Sequence, residues 1–200
     1  MKKLKRKLKL VRIKEEYLDY LRKYENRISY TKEEKIRRPF VGILFKIEDM
    51  LYYAPLTHKE KDSNETNIRI NDSNGKFKGY ILFNNMIPVN KEDIINYDIN
   101  KEIDYKYKNI VYNQMLFLRK NYYKIIEKAL NVYKGIVKKE HKSICFNFKE
   151  LESLCKEYNN FKQYNELWKK YNFYTHDSKL SQNELNKDFE NKSMDEKIKI

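Results

Sequence analysis

Apolar and polar positions alternate in a way that predicts strands early in the chain and helices later. The run "KLKLVRI" repeats with period two, as a half-buried strand does. Next, "KEEYLDYLRKYENRI" sets Tyr17, Leu18, Leu21 and Tyr24 on one helical stripe, which predicts a helix. The polar stretch "SYTKEEKIRR" has no period and reads as a loop. After it, "PFVGILFKIEDMLYYAPL" holds two β-branched and aromatic runs joined by Glu48 and Asp49, the pattern of a hairpin. Pro39 and Pro55 fall at the ends of those runs, where a missing N–H does least harm to a ladder. Such a hairpin brings Arg38 close to Thr57 and His58, so two segments distant in sequence become one candidate site.

Two more strands are expected in "TNIRI" and "FKGYILFNNMIPV", separated by a turn at "NDSNGK". Helical period takes over from about Asn90, with Tyr107, Val111, Met115, Leu118 and Tyr122 stacked, and continues through Ile125, Ile126, Ala129 and Tyr133 as a helix pair or one kinked helix that ends near Gly135. In "NFKELESLCKEY", Asn147 is placed to cap a helix with Glu150 three residues on, and Leu151, Leu154, Cys155 and Tyr158 form its apolar face. Trp168 marks one further helix. Strands first and helices later argue for an α+β domain, a small curled antiparallel sheet or half-barrel flanked by helices. A single domain is expected over residues 1–176, with a polar C-terminal tail at 177–200.

Charge changes the picture more than composition does. The 200 residues carry a formal net charge of +14, and residues 1–14 hold eight Lys or Arg and no acid. A polyanionic partner follows, because neutralising phosphates releases counterions. The abundance of Lys, Asn and Tyr beside two Ala also fits codon usage of an AT-rich genome, so part of the charge is a solvated surface. No run of about 18 apolar residues is present and the basic lead lacks a signal-peptide pattern, so a cytoplasmic protein with no membrane contact is expected. Two cysteines are too few for a disulfide framework.

Several chemistries lack their residues. There is no phosphate-cradling glycine loop, and His141 with Cys145 and Cys155 falls short of a zinc pattern. Asp62, Asp93 and Asp98 are scattered without two-metal spacing, so neither a metal nor any other cofactor is indicated. Metal-free RNA cleavage stays open, since RNA carries its own nucleophile in the 2′-hydroxyl. It needs a proton carrier, a phosphate hydrogen bond and fixed positive charge. His58 is the side-chain type that titrates near neutrality, Thr57 can bond a phosphoryl oxygen, and Arg38 supplies charge while Lys35 and Arg37 lie nearby. Each also has a plain surface explanation, and what favours the three is their convergence at one hairpin end. Tyr17, Tyr20, Tyr52 and Tyr53 could stack bases or simply fill the core.

In order and spacing, "EEYLDYLRKYENRI", "RRPFVGILFKIEDMLYYAPLTHKEK", "GYILFNNMIPV", "YKNIVYNQMLFLRKN" and "FNFKELESLCKEY" resemble the ToxN and AbiQ family, toxins of type III toxin–antitoxin systems, over about residues 10–158. The resemblance implies a metal-independent endoribonuclease leaving a 2′,3′-cyclic phosphate and a 5′-hydroxyl. Its implied partners are a cellular or phage RNA substrate and a small repeat-derived pseudoknot antitoxin RNA, which the toxin also processes and with which it forms a closed protein–RNA hetero-oligomer. The implied setting is phage defence by abortive infection. Carried over, the family's helix tyrosine falls on Tyr17, its basic residue on Arg38 and its hydroxyl pair on Thr57 and His58. Lys59, Lys61 and Arg119 match basic family positions suited to gripping RNA backbone, a role to which Lys78 is added. The family's basic position is often lysine and its second hydroxyl often serine, which leaves the division of labour open: Arg38 keeps its proton and cannot be the base, and one arrangement has His58 transfer the proton while Arg38 holds the phosphate. A non-catalytic RNA-binding protein and an inactive assembly homologue are the alternatives.

Overall fold

The alternating run Lys9–Ile13 forms β1, with Leu10, Val11 and Ile13 turned away from water. The structure is a computed structural model that describes residues 8–28, 39–60, 64–135 and 142–174, the last five as backbone only. Helix α1 follows over Glu15–Arg22, with Glu15 and Glu16 in its first turn facing the positive end of the helix dipole. Its buried stripe is Tyr17, Leu18 and Leu21, each contributing about 1.5–3 kcal/mol by leaving water. Tyr24 lies past the helix end and is exposed, so the predicted stripe stops one turn early.

The hairpin is present. Strands β2 (Phe40–Gly42) and β3 (Lys46–Ile47) both pair antiparallel with β4 (Met50–Thr57), and Glu48 and Asp49 make the turn between Ile47 and Met50. Pro55 departs from the expected strand end, because β4 continues through it to Thr57 in the middle of the sheet. The register explains the tolerance. On the far side from β2, residues 51–53 of β4 pair with one strand and 56–57 with another, so residues 54 and 55 face the gap between two partners and no ladder bond is lost.

Strands β5 (Asn67–Asn71) and β6 (Phe77–Leu82) flank the predicted turn, where the Asp72 carboxylate accepts from the N–H groups of Asn74 and Lys76. The run predicted as one strand to Val89 is broken by a 3-10 turn at Phe83–Asn85, and β7 (Ile87–Val89) then pairs with the first half of β4. Two asparagines at 84 and 85 disfavour a continuous ladder there. The helical start expected near Asn90 is also later. Residues Ile94–Asn96 form β8 on the outer edge of β1, and α2 spans Tyr105–Lys120 behind Asp104, which accepts from the Lys106 and Tyr107 N–H groups at 2.8 and 3.1 Å. A strand of three residues is too short to display a period.

Helix α3 covers Tyr122–Tyr133, kinked from α2 at Asn121, whose side chain bonds the Phe117 carbonyl. Helix α4 spans Phe148–Tyr174 behind the expected box: Asn147 Oδ1 accepts from the Glu150 N–H while its Nδ2 donates to the Glu150 carboxylate. Trp168 lies on this same helix rather than a separate one. The sheet runs β5-β6-β4-β2-β1-β8, with β3 and β7 also on β4; these neighbours pair antiparallel and the sheet is open, which makes the fold α+β as expected. Val111, Leu118, Ile125, Ala129, Leu151 and Leu154 of the helices pack with Tyr52, Leu56 and Ile81 of the sheet. The chain divides into two compact units, Met1–Asn159 and Asn160–Ile200, and the sheet belongs to the first. The expected tail at 177–200 lies outside the described residues.

Candidate active site

At the outer end of the β2–β4 ladder the Leu56 N–H donates to the Pro39 carbonyl at 3.0 Å. Thr57 follows, buried, and its Oγ1 accepts the Lys59 N–H at 3.2 Å. A threonine hydroxyl that bonds the backbone two residues on ends a strand in a turn. The turn delivers His58 and Lys59 to the surface, where the His58 ring meets Tyr107 of α2 edge-on with centroids 5.8 Å apart.

Across the sheet, Thr57 is opposite Tyr80 of β6, and Tyr80 is opposite Arg69 of β5, so the three side chains form a row on one face. The Arg69 guanidinium donates to the Tyr80 hydroxyl at 2.9 Å and to Glu60 Oε1 at 3.0 Å, and it lies over the Phe77 ring at 4.4 Å. It is a planar cation with a restricted position, tied to the turn that carries His58. Sequence reasoning missed Arg69. Its one signal was a lone charge at an outward position of "TNIRI", and nothing in the chain order says that this position lies two strands from Thr57.

Gly79 makes the row possible. Its φ of 139° is in glycine territory, and a Cβ there would collide with the Thr57 carbonyl and approach the Gln114 amide to 2.7 Å. The buried Gln114 side chain in turn donates to the Lys78 carbonyl at 2.8 Å, which clamps α2 onto β6 beside the site. The Lys78 ammonium is already engaged, 3.2 Å from Asp72. Burial would raise the Asp72 carboxyl, but hydrogen bonds from Lys76, Lys78 and Asn74 outweigh it and hold the group below the usual carboxylate range.

The remaining candidates separate. Arg119 is exposed at the far end of α2, twelve residues and so about 18 Å of helix axis beyond Tyr107. Tyr17 is fully buried, its hydroxyl donating to the Pro88 carbonyl at 2.7 Å and its ring 5.0 Å from that of Tyr158. Burial first, then Cys155 and Asp93 nearby, push its hydroxyl pKa well up. Of its two readings, base stacking and core filling, these contacts are those of the core. Tyr20, Tyr52 and Tyr53 are likewise half-buried or buried. Arg38, Lys35, Arg37, Lys61, Asp62 and His141 lie outside the described residues. Cys145 and Cys155 are not joined in a disulfide, and burial pushes the Cys155 thiol up to about 11. Among the described residues no three His, Cys, Asp or Glu side chains converge as metal ligands would, and no helix is long and apolar enough to cross a membrane.

A family model described as toxin ToxN of type III toxin–antitoxin systems matches residues 9–156. The endoribonuclease ToxN of Bacillus thuringiensis subsp. kurstaki is 35% identical over 158 residues, which are 73% of this chain and 81% of that protein. The endoribonuclease AbiQ of Lactococcus lactis subsp. lactis is 27% identical over 144 residues, 66% of this chain and 76% of its own length. Among solved structures, one from work on selective toxin inhibition by a non-coding RNA pseudoknot in type III systems superposes with a TM-score of 0.70 at 33% identity, over 77% of this chain and 99% of that one. The lactococcal anti-phage endoribonuclease AbiQ superposes with a TM-score of 0.65 at 25% identity, over 78% and 99%. With a turn-borne hydroxyl and imidazole at the end of β4, and these matches over most of its length, the chain belongs to the ToxN family of endoribonuclease toxins of type III toxin–antitoxin systems.

Proposed function

We propose that this toxin cuts RNA at the outer end of β4 without a metal, using the 2′-hydroxyl of the RNA as nucleophile. The observation that carries the reading is the Leu56–Pro39 hydrogen bond, which ends the ladder one residue before Thr57 on one strand and one residue after Arg38 on the other. A scissile phosphodiester there has Thr57 to bond a non-bridging oxygen, and Arg38 and Arg69 to face the charge that builds on the phosphorane. His58 carries the proton. The O2′–P bond forms as O2′ loses its proton, and the P–O5′ bond breaks as O5′ gains one, which leaves a 2′,3′-cyclic phosphate and a 5′-hydroxyl. Arg69 also anchors the 57–60 turn through Glu60.

The inhibitor is an RNA. The net charge of +14 supports a polyanion as partner, and a related toxin is inhibited by a non-coding RNA pseudoknot. We extend this to a repeat-derived pseudoknot antitoxin that fills the same groove, is processed by the toxin and builds closed protein–RNA assemblies in the cytoplasm, with release during phage infection. Incubation of purified protein with RNA in excess chelator is expected to give cyclic-phosphate ends. Loss of cleavage in chelator, or full activity in His58→Ala, overturns the mechanism.

A further inference from the structure

A cavity of about 630 Å³ opens further back along β4, lined among others by Lys9, Ile43, Tyr53, Lys91, Asn96 and Tyr122. Register puts it on the Thr57 face. Lys9 is opposite Gly42, Val11 is opposite Phe40, and Phe40 is opposite Pro55, so alternation along β4 places Tyr53, Pro55 and Thr57 on the face that carries Gly42 and Lys9. Tyr53 and Thr57 are four residues apart, roughly 13 Å along a strand. The Tyr53 ring lies against Gly42, where any Cβ would collide with it, so the glycine admits the ring to the floor.

The lining has a definite chemistry. Lys9, Lys91 and Asn96 are exposed, and among the described residues neither lysine is paired and no carboxylate lines the cavity. Ile43 is 48% exposed and Tyr122 half-buried, which supplies apolar and aromatic walls. An aromatic and an apolar wall, one amide and two exposed ammonium groups suit a ligand with a planar ring, hydrogen-bonding edges and flanking phosphate. The volume lies within the range of small-ligand pockets, enough for one nucleotide.

We propose that this cavity is a nucleotide subsite for the RNA that the toxin cuts: it seats one base a short distance from the scissile bond, against Tyr122 and Ile43 with Asn96 on its edge and Lys9 and Lys91 on the adjoining phosphates, and so contributes sequence preference. It rests on the RNA-cleaving reading above and goes beyond it by separating recognition from chemistry. The test uses short RNAs that each lack one base at successive positions around the cut. Wild type is expected to show one position away from the cut where loss of the base raises KM about tenfold with kcat little changed. Tyr122→Ala and Asn96→Ala should make that position indifferent while cutting the base-less RNA as wild type does. The double variant Lys9→Gln, Lys91→Gln, which alters exposed side chains only, should make the slope of log kcat/KM against log salt shallower by about 1.4, about 0.7 for each phosphate contact removed from a single strand.

Variants as position-sensitive as wild type, or an unchanged salt slope, overturn the subsite. Competition by a free nucleoside monophosphate, with cleavage indifferent to every base, makes the cavity a mononucleotide site and overturns it too. If wild type cuts no RNA, the proposed function fails instead, and equilibrium binding of the same RNA set then decides the subsite by the same position-specific loss.

Discussion

At the scale of single residues, the site depends on groups whose neighbours leave them one job each. His58→Ala should lower kcat by about 10²-fold or more while RNA affinity changes little, measured by single-turnover cleavage and equilibrium binding. Arg69→Lys should also be slow, because an ammonium cannot hold Tyr80 and Glu60 with one rigid fork and still present charge to a phosphate. Tyr17 gives the opposite expectation. Tyr17→Phe removes the bond to the Pro88 carbonyl and should cost about 1–3 kcal/mol in denaturant unfolding, with kcat unaltered. A Tyr17→Phe protein of native stability and lost activity would return that ring to the RNA.

At the scale of elements, what matters is how β4 is held. Gly79→Ala would force a side chain into the Thr57 carbonyl, so β4 and β6 must part, and both melting temperature and activity should fall. On the opposite side, Glu152 of α4 accepts hydrogen bonds from Tyr52 of β4 at 2.8 Å and Tyr133 of α3 at 2.7 Å, and from Lys149 at 2.9 Å. Burial alone would raise its carboxyl, but the bonds from Tyr133, Lys149 and Tyr52 outweigh that and lower it. A carboxylate lowered by folding stabilises the fold above its unfolded-state value, and that stabilisation disappears as pH drops through the folded-state value. The melting-temperature difference between wild type and Glu152→Gln should therefore be full at neutral pH and shrink below about pH 4.

For the molecule as a whole, charge and topology set the behaviour. With +14 on the chain, RNA affinity should fall steeply with salt, linearly in log–log form, and binding should persist in variants that cannot cut. Removal of residues 177–200, whose net charge is −1, should leave cleavage unchanged in the same gel assay. The antiparallel order β5-β6-β4-β2 collects residues from three separate stretches, around 57–60, 69 and 78–80, at one end of the sheet.

Local pattern was enough for α1, the hairpin, the turn at Asp72, the α2–α3 break and the Asn147–Glu150 box, because each is set by neighbours within about five residues. It also made Thr57 and His58 candidates, because the hairpin sets them at one end beside the start of its first strand. The passage of β4 through Pro55, the short β8, and the Thr57–Tyr80–Arg69 row were decided by strand pairing across tens of residues. So was the burial of Tyr17. A side chain's face and partner depend on register with a distant strand, and a single chain order contains no measure of that register until the sheet is assembled.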